Sequence, residues 1–374
     1  MSGTVGTNSG RVSGSIGSAG SGITTSSNDP EVTTNPSGGR GTVFTNTTSG
    51  ETYVCTDDTT DENVWINVGD GTGNVALYHF ANASLYCFAP SGNTTGDSNI
   101  ATIDKNAFAS NANSTDQGDV TAARRGNSCA SSTTHGYVAG GYTGAPFVNT
   151  IDRFAMGSTA DSTDVGDLTS TGQTGAGITS STHGHVACGT YTSATRDVKR
   201  WSFASGTEAG TSLGDLISVA RNYPVGGSSE LYGYVMGSYS GSPVSQIEKF
   251  AFADNATTAD VGDLVSTSNS MSHCEDGYVW TSGQFSTPAD DKIEKMATAS
   301  DNNSTDSGSS LSVTCGSNGA GNASKTYGYA MGGAVGGNHG DVVDRWPYAS
   351  SSTASDVGDL TVVREGITSA GCQL

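Results

Sequence analysis

Apolar residues in this chain fall in short runs rich in Val, Ile, Phe, Tyr and Trp, separated by Gly, Asp, Asn and Ser. No run keeps a helical period long enough to compete, so the pattern predicts short strands joined by turns. One run returns almost unchanged. "THGYVAGGYTG" begins at Thr134, "ELYGYVMGSYSG" at Glu230, "EDGYVWTSGQFS" at Glu275 and "KTYGYAMGGAVG" at Lys325, with "THGHVACGTYTS" at Thr182 a worn copy. A second phrase follows each copy: "TIDKNAFAS" at Thr102, "TIDRFAMGS" at Thr150, "DVKRWSFAS" at Asp197, "QIEKFAFAD" at Gln246, "KIEKMATAS" at Lys292 and "VVDRWPYAS" at Val342. A third phrase, of the type "TDVGDL", carries Gly118, Gly166, Gly214, Gly262, Gly308 and Gly358, spaced 48, 48, 48, 46 and 50 residues apart.

A repeat of that length with four short runs predicts four strands per unit. Their order is an inner strand after a basic residue ("TAARRGNSCASS"), then the "GYVAGG" strand, the "IDRFAM" strand and the "TDVGDL" strand. In the second strand Tyr137 and Val138 are expected between sheets. Gly140 and Gly141 are expected to let backbones approach and to turn with positive φ.

Strand order and paired glycines together resemble the kelch repeat over roughly residues 84 to 374. The resemblance implies an all-β fold, a propeller of six or seven blades. The chain departs from the kelch pattern in placing "DVGDL" where that repeat has a Trp on its fourth strand, so no particular kelch partner is implied. "ASLYCFAP" at residues 83 to 90 occupies the place of "HGYVAGG" without an inner strand before it, while "TVVREGITSAGCQL" ends the chain as an inner strand with nothing after it. The C-terminal strand is therefore expected to complete the first blade and close six blades across residues 83–374.

Residues 41 to 73 predict three further strands, around "TVFTN", "ETYVCT" and "VWINV", within a small β module or linker at 39–82. Its core is expected from Phe44, Tyr53, Val54, Val64, Trp65 and Ile66. So small a core is marginal alone and predicts packing on a partner or trimerisation, hence a homo-oligomer. Residues 1–38 are Gly/Ser/Thr-rich and predict a flexible arm that orders only on a partner.

The 374 residues contain 16 Lys plus Arg against 36 Asp plus Glu, for a net charge of −20. Without a basic cluster nothing neutralises phosphates, which argues against nucleic acid. No apolar stretch is long enough for a bilayer span and the N-terminus has no signal h-region, so neither membrane insertion nor ordinary export is expected. Seven cysteines without CxxC spacing are expected to be buried, reduced thiols.

Catalytic chemistry is hard to find. His183 and His185 share a strand face at ligand-like spacing, yet no third ligand accompanies them and His183 stands where His135 does, which favours a structural role. Asp161, Asp164 and Asp167 could offer oxygens to calcium, but turn chemistry accounts for them without a metal. Galactose oxidase shares the propeller class, but its Tyr, Cys and His copper site has no counterpart here. No enzyme, cofactor or metal is expected.

The candidate ligand-binding residues are the aromatics after the glycine segment, Tyr142, Tyr191, Tyr239 and Phe285. These either stack on sugar rings from one rim or fold inward and seal contacts between blades. The segments beyond them, "TGAPFVN", "TSATRD", "SGSPVSQ" and "STPADDK", differ while the strands do not, as in binding surfaces built on a constant scaffold. "MSGTVGTNSGRVSGSIG" and "GETYVCTD…NVWINVGDGTG" are similar to N-terminal parts of structural and tail-fibre proteins of marine phages. That resemblance implies a bacteriophage virion structural protein, assembled in the host cytoplasm. As a tail-fibre or receptor-binding protein it would contact other virion proteins through residues 1–82 and bind host-surface polysaccharide through the propeller. A capsid-attached head fibre or decoration protein is the alternative.

Overall fold

The computed structural model describes residues 23–68 and 85–367, apart from 191–192, 205, 207, 238, 254–258, 267–268, 276, 285–289, 316–318 and 336–337, together with Cys372 and Gln373. The described residues form strands and turns without a helix. Two compact units divide the chain, residues 1–77 and 78–374.

In the first unit β1 (Thr24–Ser26), β2 (Val43–Asn46), β3 (Thr52–Asp57) and β4 (Val64–Asn67) form one sheet in sequence order. Strand β3 alternates strictly, so Tyr53 and Cys55 face a core with Phe44 and Trp65. Two expectations are corrected here. Val54 and Ile66 are half-buried and Val64 is exposed, while Cys55 takes the core place expected for them. Residues 24–38, assigned to the arm by composition, are tied into the module. Strand β1 pairs in parallel with β2, the Asn63 amide donates to the Val32 carbonyl at 2.8 Å, and the Asn35 side chain donates to Asp61 at 2.8 Å.

The second unit repeats one four-stranded antiparallel motif. Its strands are β5 (Tyr86–Thr94), β6 (Ser98–Ala107) and β7 (Thr115–Asp119); then β8 (Ser128–Ser131), β9 (His135–Tyr142), β10 (Phe147–Ala155) and β11 (Thr163–Asp167). Next come β12 (Ala176–Thr179), β13 (His183–Ala187), β14 (Asp197–Ser202) and β15 (Thr211–Asp215), followed by β16 (Val225–Ser228), β17 (Tyr232–Met236), β18 (Gln246–Ala251) and β19 (Ala259–Asp263). The last groups are β20 (Asn269–Glu275), β21 (Tyr278–Gln284), β22 (Asp290–Ala297) and β23 (Thr305–Cys315), then β24 (Ala320–Ala323), β25 (Tyr327–Val335), β26 (Asn338–Pro347) and β27 (Ser355–Arg364). Strand β28 (Cys372–Gln373) pairs with β5, giving the order β28-β5-β6-β7. A single pair, Cys315 with Val335, joins the β20–β23 and β24–β27 groups into one continuous sheet.

Apolar clusters lie between consecutive groups. Phe88, Ile103 and Val120 meet Cys129, Val138 and Phe154; at the other end of the series Tyr329, Met331 and Val343 meet Cys87 and Ala89. First strands also touch in succession: β8 with β12, β12 with β16, β16 with β20, β20 with β24, β24 with β28, and β28 with β8.

The recurring glycine phrase has a packing cause. Gly136 sits directly across from Phe154, and a Cβ there would fall 2.2 Å from that ring. The same clash recurs for Gly184 against Trp201, Gly233 against Phe250 and Gly328 against Trp346. The third-strand aromatic therefore lies over a bare backbone. Gly140 and Gly141 have φ of 66° and 116°, and the Gly141 amide donates to the Gly172 carbonyl of the next segment at 2.7 Å. Positive φ is available to glycine at little cost, and here it turns the strand end toward its neighbour.

Candidate binding face

In each antiparallel group the hairpin between the second and third strands lies at the end where the chain arrives from the previous group. Backbone bridges align the arriving segment with the residue after the glycine phrase: Arg125 with Tyr142, Gln173 with Thr190, Asn222 with Tyr239, and Glu365 with Asn93. These bridges define equivalent positions independently of residue type.

Tyr142 is half-buried between two neighbours. The Arg125 guanidinium lies 5.3 Å from its ring centre, the Phe147 ring lies 5.4 Å away, and its hydroxyl donates to the Gly144 carbonyl at 2.7 Å. Arg125 is in turn held by Asp97 at 2.6 Å. Tyr239 is 42% exposed. Tyr191 and Phe285 lie outside the described residues. The bridge of Gln173 to Thr190 places Thr190, one residue before Tyr191, at the position of Tyr142 and Tyr239. Register therefore sets Thr190 level with Tyr142 and Tyr239. Tyr142 and Tyr239 are not brought together, because the β12–β15 sheet stands between theirs in the succession.

Beneath this end lies a set of buried ion pairs that the charge pattern concealed. Arg124 pairs with Asp152, Arg221 with Glu248, and Arg364 with Asp104 at 2.6 Å, all essentially without solvent. Each arginine immediately precedes one of the bridging residues, and each acid lies on a third strand. Arg124 also donates to the carbonyls of Gly140 and Thr150, Arg221 to those of Gly237 and Gln246, and Arg364 to those of Thr102 and Ala89. The acids are satisfied further: Thr121 donates to Asp152 through its amide and hydroxyl at 2.8 and 2.7 Å, and Thr361 does the same for Asp104. Burial pulls the Arg124 and Arg364 guanidiniums below their ordinary pKa, opposed by the paired carboxylates. The signal in the sequence is an arginine at the fourth place of "TAARR", "SVARN" and "TVVRE".

Three groups depart from this scheme. On β22, Glu294 accepts from the amides of Val265 and Ser266 and the hydroxyl of Ser304. On β26, Asp344 accepts from the Ser312 amide at 2.8 Å while its Oδ1 has no partner, and burial raises its pKa. On β14 the acid is replaced by Lys199, and Gly172 stands at the arginine position.

The histidines are packed side chains. His135 and His183 each meet the preceding threonine hydroxyl, those of Thr134 and Thr182, at 2.8 Å. His185 stacks 5.1 Å from Phe252, and burial lowers its pKa to about 3. Asp164 accepts from the Gly166 amide at 3.1 Å, as turn chemistry requires, and Asp161 accepts from the Asp119 amide of the preceding group at 3.0 Å. Among the described residues no group of three or more His, Cys, Asp or Glu is placed to hold a metal ion. Cys55, Cys87, Cys129, Cys188 and Cys315 are buried and Cys274 is half-buried. No described helix is long and apolar enough to cross a membrane. Comparison with protein-family models finds no match to this chain, and comparison with curated proteins finds none.

Proposed function

We propose that residues 83–374 form a six-bladed, kelch-like propeller and that the chain is a non-enzymatic appendage of a bacteriophage virion, of tail-fibre or receptor-binding type. Its N-terminal arm and module would dock on other virion proteins, and the propeller would bind polysaccharide on the host surface. The cyclic succession of first strands, with β28 touching both β24 and β8, supports the propeller. The similarity of the N-terminal segments to phage structural proteins supports the virion setting.

One observation carries the binding role: at the second-to-third-strand end the strands repeat, while the connecting segments after Tyr142, Thr190 and Tyr239 vary, those after Tyr142 and Tyr239 keeping in common a Gly and a Pro (Gly144 and Pro146, Gly241 and Pro243). Tyr239 is 42% exposed there, whereas Tyr142 is half-buried against Arg125 and Phe147. Tyr239→Ala is therefore expected to weaken adsorption of the purified protein to host cells more than Tyr142→Ala, with melting temperatures within a few degrees of the parent. Undiminished adsorption by a folded Tyr142→Ala/Tyr239→Ala protein would rule out this face.

A further inference from the structure

The first unit buries one face of its sheet and leaves the other open. Phe44, Tyr53, Cys55 and Trp65 point into the core, so their neighbours along each strand point the opposite way. On that second face register lays Val43, Val54 and Ile66 side by side, with Thr25, Thr45 and Thr52 as a parallel row. Ile23 extends the first row and is 63% exposed; Val68, whose amide donates to the Thr52 carbonyl, extends the second and is 59% exposed. Two rows of four β-branched residues therefore carry no charge, although residues 23–68 hold seven acids against Arg40 alone. Asp57, paired across from Val64, marks where the uncharged surface stops. Thr45 and Thr52 share a hydrogen bond at 3.4 Å, which lowers the cost of drying their hydroxyls. A contiguous apolar patch of this kind on a protein surface marks a place of contact.

We propose that this face packs on the same face of a second copy of the chain, sheet against sheet. The occupant follows from charge. An uncharged surface has nothing with which to select a charged partner, and two copies of an acidic chain repel one another wherever their acids meet, least of all across these two rows. Side chains on two such faces interdigitate when the sheets lie nearly aligned. A face that meets itself closes at two copies, so pairing takes the place of the trimerisation expected from the small core. It is independent of the glycan reading. Two rows across four strands span roughly 20 by 14 Å. That is small beside the ~800 Å² that each partner covers in a stable complex, so the pair should come apart on dilution.

Sedimentation of the full chain from about 1 to 100 μM should show its mass rise from one copy toward two. Val54 lies on one of the two central strands, near the two-fold axis that such a pair requires. Val54→Lys and Val54→Glu should each remain at one copy across that range, while an equimolar mixture of the two should pair again, since opposite charges then meet across the seam. Should the Val54 variants fail to fold, Val68→Lys serves instead. Its site is already exposed, and it should weaken pairing by about tenfold or more at an unchanged melting temperature. A parent chain that stays at one copy throughout overturns the proposal, and so does a trimeric mass or a pair indifferent to these substitutions. A parent at one copy whose melting temperature falls sharply with Val68→Lys would show the face to be covered from within the chain, which also overturns it.

Discussion

The β8–β11 sheet and the β24–β27 group share a backbone plan and differ in what that plan encloses. In the first, Asp152 is met by a guanidinium and by both donors of Thr121, and the guanidinium bonds two carbonyls besides. In the second, Asp344 is as deeply buried, with no arginine beside it and one oxygen unpartnered. His273 lies where β20–β23 meets β24–β27, 5.3 Å from Trp346, with neither ring nitrogen bonded. A repeated fold thus does not repeat its energetics. Where the arginine is kept, the buried carboxylate meets an opposite charge, although each guanidinium leaves its Nε without a partner; at Asp344 and His273 polar atoms stay buried with neither charge nor hydrogen bond to recover their desolvation.

The largest effect should come from breaking the compensated site. Arg124→Ala strands Asp152 in the interior and is expected to cost about 3 to 5 kcal/mol in chemical denaturation. Arg124→Met with Asp152→Leu should recover most of that, since removing both charges removes the penalty. A loss under about 1 kcal/mol for the single change would mean that Thr121 suffices for the carboxylate.

Acid should come next. Burial lowers the His273 pKa to about 3 from 6.5, so between those values the unfolded chain binds more protons than the folded one. Stability is then lost as pH falls below 6.5, by up to roughly 1.4 kcal/mol per pH unit for this residue. His273→Phe should flatten that part of a denaturation-versus-pH curve, and an unchanged slope would place the proton uptake elsewhere.

Asp344 should give the smallest effect, with the opposite sign. Its folded pKa is raised above 3.8 by burial, so the folded state holds its proton longer and stability falls as pH rises from 3.8 through the raised value. Asp344→Asn should be more stable than the parent at neutral pH and equal to it below that window. A variant less stable at pH 7 would show the charged carboxylate to be compensated after all.

The repeat plan was legible in the sequence because its cause is local. An aromatic on the third strand needs a bare glycine opposite, so Gly136 with Phe154 and Gly328 with Trp346 recur as spelled phrases. What depends on register was less visible. Thr190 holds the position credited to Tyr191 because ring chemistry was matched in place of backbone pairing. Cys55 is core and Val54 is not, since the strand's alternation outranks hydrophobicity. Strand β1 escaped notice because it is secured by main-chain hydrogen bonds and carries almost no apolar surface. Buried arginines were hidden for a related reason: a charge reads as surface until its partner, 27 or 28 residues away in two cases and 260 in the third, is brought beside it.

Among the described residues, strand β5 makes eight residue pairs with β6 and two with β28, and Asn93 bridges Glu365 besides. A tensile load arriving through residue 85 would run along β5 and shear its ladder with β6, in which the hydrogen bonds resist together. Through its described residues the unit is thus fastened to whatever pulls on it along the β5–β6 seam.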